Sequence, residues 1–224
     1  DSVVSVSAPQ LDNSGLMQSR NGGELEITSP INGQLIHSGR IESLGSSTRQ
    51  PSTVTVNTPS IVGTSAAATP GLFLAANGGN VDFQSDELGT LVLSKSLEFV
   101  ADADSTITFH KPVIVQDGLA HLVTKEGGTM RLSGLGRSHL PAMGTAKITN
   151  DGLLEFVDGR NSLRDPTPVF FGSDPLIDPI DLENRGTVRI HAGAAFDFDV
   201  NIVDYAEGGA TFAGGTWELL GANI

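Results

Sequence analysis

Hydrophobic and polar residues alternate in short stretches that recur from the beginning of the chain to its end. In the clearest stretch, Gly186 is followed by Val188 and Ile190, and the polar Thr187 and Arg189 lie between them. Strict alternation places the apolar residues on one face of a β-strand and the polar residues on the other. The same pattern, with apolar residues two and four places later, opens at eight positions: Gly23, Ser52, Gly79, Ser105, Gly128, Gly152, Gly186 and Gly215.

The eight openings are spaced by 23 to 34 residues, with a mean of about 27, and a weaker ninth copy starts at Ser2 with Val4 and Val6 in phase. A second apolar segment, such as Gln34–Ile36 or Leu91–Leu93, follows within most repeats. A five-residue strand cannot bury its apolar face alone, but stacked repeats share one continuous core. The repeat therefore predicts a single domain, 1–224, folded as a right-handed parallel β-solenoid of about eight turns with about 27 residues each.

Asparagine stands two places before the opening residue in four copies: Asn21, Asn77, Asn150 and Asn184. Asn and Gly both tolerate a positive φ, so we expect each strand to begin just after a tight bend. An antiparallel β-sandwich would also contain regularly spaced strands and turns. A sandwich requires neither one register for eight strands nor Asn at a fixed offset, and the pattern therefore favours the solenoid.

The composition narrows the possible partners of such a fold. The chain has 13 Lys and Arg against 26 Asp and Glu, a net charge of −13, and no Cys. An acidic chain without a basic patch disfavours nucleic acid as a partner. We find no signal peptide and no apolar run long enough to span a membrane. No amphipathic capping helix follows the last copy, so we expect end-to-end stacking of copies or continuation into turns of a longer solenoid.

The rhythm of the repeat is broken at 158–181, where four prolines disfavour continuous strand pairing. We interpret this segment as a loop that protrudes from one corner of the solenoid. Function tends to be carried by loops on rigid scaffolds. If the protein binds a polysaccharide, the expected ligand residues are Asp174, Phe170 and Phe171 of this loop.

Calcium is the one cofactor that the sequence suggests, because oxygen-rich turns around Asp102, Asp104 and Asp178 could supply its ligands. The chain contains neither an EF-hand loop nor a Gly-rich calcium-binding repeat. Asp197 and Asp199 are spaced like paired carboxylates of a glycosidase, but an acidic chain contains such pairs by chance. The five histidines are too widely spaced for a metal site. We therefore predict no catalytic residue.

The Asn-x-Gly copies and the closing sequence Gly214–Leu219 resemble the repeats of bacterial secreted β-solenoids, namely autotransporter passengers and filamentous-haemagglutinin-like adhesins. The resemblance covers 21–224 loosely. It implies a secreted or surface-exposed protein with a structural or adhesive role and carries over no catalytic motif. We therefore expect a non-enzymatic extracellular adhesion module that associates end to end. The alternative is a carbohydrate-active β-helix, acting as a polysaccharide lyase, glycosidase or binding module.

Overall fold

A computed structural model describes residues 2–46, 50–65, 69–84, 90–137, 144–162, 181–197 and 215–221. These residues form twenty-one strands: β1 Val3–Ser7, β2 Gln10–Asn13, β3 Leu16–Arg20, β4 Glu24–Thr28, β5 Gln34–His37, β6 Arg40–Leu44, β7 Thr53–Asn57, β8 Ser60–Val62, β9 Gly71–Ala76, β10 Asn80–Gln84, β11 Leu91–Ser94, β12 Leu97–Ala101, β13 Thr106–Phe109, β14 Val113–Thr124, β15 Thr129–Leu132, β16 Leu135–Arg137, β17 Gly144–Asn150, β18 Leu153–Ser162, β19 Asp181–Asn184, β20 Thr187–Asp197 and β21 Thr216–Leu220. The described part of the chain has no helix long and apolar enough to cross a membrane.

The strands lie in three sheets, one for each face of a coil. Sheet A has the order β1-β4-β7-β10-β13-β15-β18-β20-β21. Sheet B has the order β2-β5-β8-β11-β14-β16, in which β14 contributes its first residues. Sheet C has the order β3-β6-β9-β12-β14-β17-β19, in which β14 contributes its last residues. Every neighbouring pair of strands is parallel, which confirms the β-solenoid and rules out the antiparallel sandwich.

Strand β14 belongs to both sheet B and sheet C because it bends at Gly118. This glycine has a φ of +74°, and a Cβ there would lie 2.5 Å from the Cα of Lys95 in the turn below. An L side chain is strained at such a φ, and here it would also collide with the neighbouring backbone. The corner between the two sheets therefore requires glycine.

The predicted register is confirmed for all eight copies. Leu25 pairs with Val54, Val54 with Val81, and the same position continues through Ile107, Met130, Leu154, Val188 and Trp217. The weak ninth copy is also present, because β1 pairs Val4 with Leu25. The inward residues of successive turns therefore form continuous columns, as shared burial between short strands requires.

The number of turns is slightly lower than predicted. The described residues form about 6 turns of about 26 residues, against the predicted eight of about 27. The predicted number of turns was the number of opening residues, and each opening residue precedes a strand of sheet A. Among the described residues, sheet A contains nine strands. The last of these, β20 and β21, follow segments that lie partly outside the described residues, so complete turns are fewer than strands of sheet A.

Four phenylalanines fill the centre of the solenoid. Phe73 and Phe99 lie in sheet C, Phe83 and Phe109 lie in sheet A, and all four are at most 1 % exposed. Phe73 stacks on Phe99 with 5.1 Å between ring centroids, and Phe83 stacks on Phe109 at 4.7 Å. Edge-to-face contacts of 5.0 to 5.3 Å join the two stacks across the core.

Two sequence predictions need correction. Asn21 and Asn77 have the expected positive φ of 53° and 54°, but Asn150 and Asn184 are the last residues of strands β17 and β19 and are fully buried. The predicted loop also begins later than 158, because β18 continues to Ser162 and pairs there with β20. Residues 163–180 lie outside the described part of the chain.

Candidate functional site

The structure places only some of the predicted site residues. Phe170, Phe171 and Asp174, the predicted polysaccharide ligands, lie outside the described residues, as does Asp178. Asp197 ends strand β20, where its backbone pairs with that of Ser162. The described candidates are therefore Asp102 and Asp104.

Asp102 lies at the corner between sheets C and A and has a partner for each oxygen. Its Oδ1 accepts a hydrogen bond from the Ala103 backbone N–H at 2.9 Å, and its Oδ2 lies 3.1 Å from the Lys125 Nζ of the next turn. The backbone hydrogen bond from Ala103, with help from the Lys125 ammonium, lowers the pKa of Asp102 below its ordinary value. A calcium ion would have to displace Lys125 to use both oxygens.

Asp104 lies two residues further along the same corner and has a positive φ of 58°. Its backbone N–H donates to the Gly127 carbonyl of the next turn at 3.0 Å. Within the described ranges, no group of three or more His, Cys, Asp or Glu residues is arranged to hold a metal ion. Calcium binding with Asp178 stays a prediction.

The outer face of sheet A carries a row of charges that alternate in sign from turn to turn. The row consists of Arg131, Glu155, Arg189 and Glu218 on β15, β18, β20 and β21, and we name it the charge ladder. Arg131 Nε donates to Glu155 Oε2 at 2.6 Å, Arg189 Nη1 to Glu155 Oε1 at 3.0 Å, and Arg189 Nε to Glu218 Oε2 at 2.6 Å. Every ion pair of the charge ladder therefore joins two neighbouring turns.

Glu155 is the centre of the charge ladder and is only 5 % exposed. Burial alone would raise its pKa, but hydrogen bonds from Arg131, Arg189 and His191 outweigh burial and hold the pKa of Glu155 below its ordinary value. The carboxylate is thus fixed in its charged form. This arrangement holds adjacent turns in register, since a shift of β20 by one residue would turn Arg189 into the core.

The described histidines lie apart and have separate partners. His110 Nε2 lies 3.4 Å from Asp82, His191 Nε2 3.3 Å from Glu155, and His121 Nδ1 3.3 Å from Glu98. His37 is fully buried and belongs to the core. The structure therefore gives each of these histidines a contact of its own, which the sequence spacing did not predict.

His37 has hydrogen bonds at both ring nitrogens. Its Nε2 donates to the Leu72 carbonyl at 3.0 Å, so its Nδ1 accepts from the Asn13 amide at 3.2 Å. Its ring lies 4.5 Å from that of Phe73. Burial lowers the pKa of His37, although the bond to the Leu72 carbonyl acts in the opposite direction. The sequence contained the signal, because His37 follows Leu35 in the inward phase.

The two Ser openings have a specific role at the corners. The Oγ of Ser52 accepts the Gly22 N–H at 3.1 Å, and the Oγ of Ser105 accepts the Gly78 N–H at 3.1 Å. Each hydroxyl also donates at 3.0 Å to a carbonyl of its own corner, that of Leu44 or Ala103. Each serine thus joins an Asn-Gly-Gly corner to the turn that follows it.

A buried amide contact lies at the corner between sheets C and A. Asn150 Nδ2 donates to Asn184 Oδ1 at 2.7 Å and to the Thr187 carbonyl at 3.0 Å. These residues continue a column of small or polar side chains on sheet C that includes Ala101 and Thr124. Sequence reasoning placed both asparagines in bends and missed this contact.

Among the described residues, the turn formed by β1, β2 and β3 leaves one end of the core exposed. Strands β1, β2 and β3 are the terminal members of their sheets. Val4 is 55 % exposed, whereas Val54, two turns along the same column, is 0 % exposed. A cavity of about 280 Å³ opens here, with Val4, Val6, Met17 and Leu25 as its apolar lining.

The comparisons with known proteins give no family for the chain. No family model matches it, and neither a curated protein nor a solved structure matches it significantly. Only the chain's own residues therefore indicate its function.

Proposed function

We propose that the chain is a non-enzymatic structural or adhesion module of an extracellular bacterial surface protein, and that its solenoid associates end to end. The observation that carries the proposal is the open end formed by β1, β2 and β3. Sequence patterning supports it, since the repeats resemble those of secreted adhesive solenoids. The register of sheet A also supports it, because nine stacked strands form a long, stiff scaffold.

The chemistry of the open end favours another solenoid turn as its occupant. A terminal parallel strand presents unpaired backbone N–H and C=O groups that a further strand can satisfy. Val4, which is 55 % exposed, and the partly buried Val6 and Met17 form the apolar surface of the open core column. A second copy, or a neighbouring turn of a longer chain, would supply both the strand and the apolar residues. Both occupants use the same contacts.

Two carboxyl groups, those of Glu155 and Asp102, are unsuited to act as the proton donor of a glycosidase. A glycosidase acid needs a raised pKa so that it carries a proton at neutral pH. The pKa values of Glu155 and Asp102 are instead lowered, and each carboxylate is held by a cation of another turn. Charges arranged in this way stabilise stacked turns.

The end-to-end contact can be tested with a matched pair of variants on β1. Val4→Lys puts a charge into the open core column, whereas Val3→Lys puts the same charge on the outer face one residue away. We expect analytical ultracentrifugation and electron microscopy to detect concentration-dependent linear assembly for the wild type and Val3→Lys and its loss for Val4→Lys. A wild-type chain that stays monomeric at all concentrations would contradict self-association.

The carbohydrate-active alternative requires a different experiment. The wild type is screened for binding and cleavage against a panel of polysaccharides, with Asp174→Asn and Asp197→Asn as variants. Turnover that either variant abolishes would replace the structural proposal with an enzymatic one. Fractionation of cells that produce the protein tests its extracellular location, and recovery in the cytoplasmic fraction would contradict it.

A further inference from the structure

The chain contains three Asn-Gly dipeptides, the sequence in which asparagine deamidates most readily because glycine has no side chain to hinder the reaction. Their asparagines, Asn21, Asn32 and Asn77, are all exposed in the structure. Asn21 and Asn77 belong to the Asn-Gly-Gly corners whose glycine N–H groups are held by serines. We infer that these two corners are deamidation sites at which a hydrogen bond to the serine of the following turn slows the reaction.

The reaction needs only the chain and water. The backbone nitrogen of the glycine attacks the Cγ of the asparagine, a new N–Cγ bond forms, and the Cγ–Nδ2 bond breaks. Ammonia leaves with the hydrogen that the glycine nitrogen loses, and a five-membered succinimide remains. Water then opens the succinimide at one of its two carbonyls to give aspartate or isoaspartate. The sum is asparagine plus water to an acidic residue plus ammonia, with no change of oxidation state.

The serine hydroxyl opposes the first step of this reaction. Attack requires the glycine nitrogen to lose its hydrogen, and in both corners that hydrogen is donated to a serine Oγ 3.1 Å away. The acceptor is fixed in place, because Ser52 and Ser105 are 0 % and 2 % exposed and their own hydroxyl hydrogens are donated to carbonyls. Opening the corner therefore requires the separation of two turns.

The Asn32-Gly33 corner provides an internal reference. The Gly33 N–H donates to the Pro30 carbonyl at 2.6 Å, so its bond lies within one turn and involves neither serine. A change that loosens the whole solenoid should affect all three corners, whereas loss of one serine should affect one corner alone.

Deamidation would change the corner in two ways. The product adds a negative charge to a chain that already carries a net charge of −13. Isoaspartate also inserts a methylene group into the backbone, which cannot keep the left-handed bend of Asn21 and Gly22, with φ values of 53° and 81°. The reaction would therefore weaken the contact between two turns at one defined place.

The test compares the wild type with Ser52→Ala and Ser105→Ala. Each protein is incubated at mildly alkaline pH in ¹⁸O-labelled water, and deamidation at Asn21, Asn32 and Asn77 is measured by peptide mass spectrometry. The urea-unfolded protein gives the deamidation rate of each asparagine in the absence of the serine hydrogen bonds.

We expect Ser52→Ala to raise deamidation at Asn21 by about fivefold or more, the effect of losing one neutral hydrogen bond, while Asn32 and Asn77 keep their wild-type rates. Ser105→Ala should do the same at Asn77 alone. An unchanged rate at the neighbouring asparagine would overturn the proposal. An equal rise at all three sites would also overturn it, because protection would then come from the fold as a whole.

Discussion

The substitution Phe99→Ala tests whether the shared core holds the solenoid together. The Phe99 side chain is fully buried, stacks on Phe73 at 5.1 Å and meets Phe83 and Phe109 edge to face at 5.3 Å. Truncation of a buried Phe to Ala costs roughly 3–5 kcal/mol. Each aromatic pair contributes roughly 0.5–1.5 kcal/mol beyond its buried area. Because three ring contacts are lost, we expect the upper part of the first range.

The free energy of unfolding is measured by urea denaturation followed by circular dichroism. Natural domains have only about 5–15 kcal/mol in total, so the predicted loss is a large fraction of it. Phe99→Leu keeps most of the volume and should cost about 1.5 kcal/mol. Val157→Ala, at a residue that is 39 % exposed, should change the unfolding free energy by less than about 0.5 kcal/mol. A loss for Phe99→Ala no larger than for Phe99→Leu would refute the interlocked aromatic core.

Two further predictions concern charged and titrating groups. Glu155→Gln removes the charge that Arg131 and Arg189 share, and should lower the free energy of unfolding by about 1–3 kcal/mol. The control Glu24→Gln, on the exposed part of the same face, should have almost no effect. Equal urea midpoints for the two variants would contradict the charge ladder. Burial holds the pKa of His37 below its ordinary 6.5, so on acidification the unfolded chain takes up the proton before the folded chain does. This contribution to the free energy of unfolding should be complete above pH 6.5. Below pH 6.5 it should fall by up to about 1.4 kcal/mol per pH unit. The His37→Gln variant should lose this slope between neutral and mildly acidic pH, and an unchanged slope would contradict the prediction.

The candidate sites were less predictable from the sequence than the fold. The charge ladder was within reach, because Arg131, Glu155, Arg189 and Glu218 all stand three places after an opening residue and alternate in sign. Its significance depends on which strands are neighbours, and only stacking establishes that. The partner of Asp102 was out of reach, because Lys125 lies in a corner of the next turn and corners carry no alternation from which a register can be derived.

The sequence by itself determined the pairing of sheet A. A period of two residues within each strand and one recurring opening specify which residues face inward, and a slip of one residue would expose the whole inner face. Leu25, Val54 and Val81 therefore had to lie above one another, and they do.

Only the tertiary structure decided how the corners and the other two faces are built. Asparagine stands at the same offset in four copies, but its conformation differs among them. Asn21 and Asn77 lie in bends and have exposed side chains. Asn150 and Asn184 are the last residues of strands, and their side chains are hydrogen-bonded to each other in the core. Local propensity allows both conformations of asparagine. The choice depends on whether a neighbouring turn offers the buried amide a partner, and that partner lies 34 residues away in the chain.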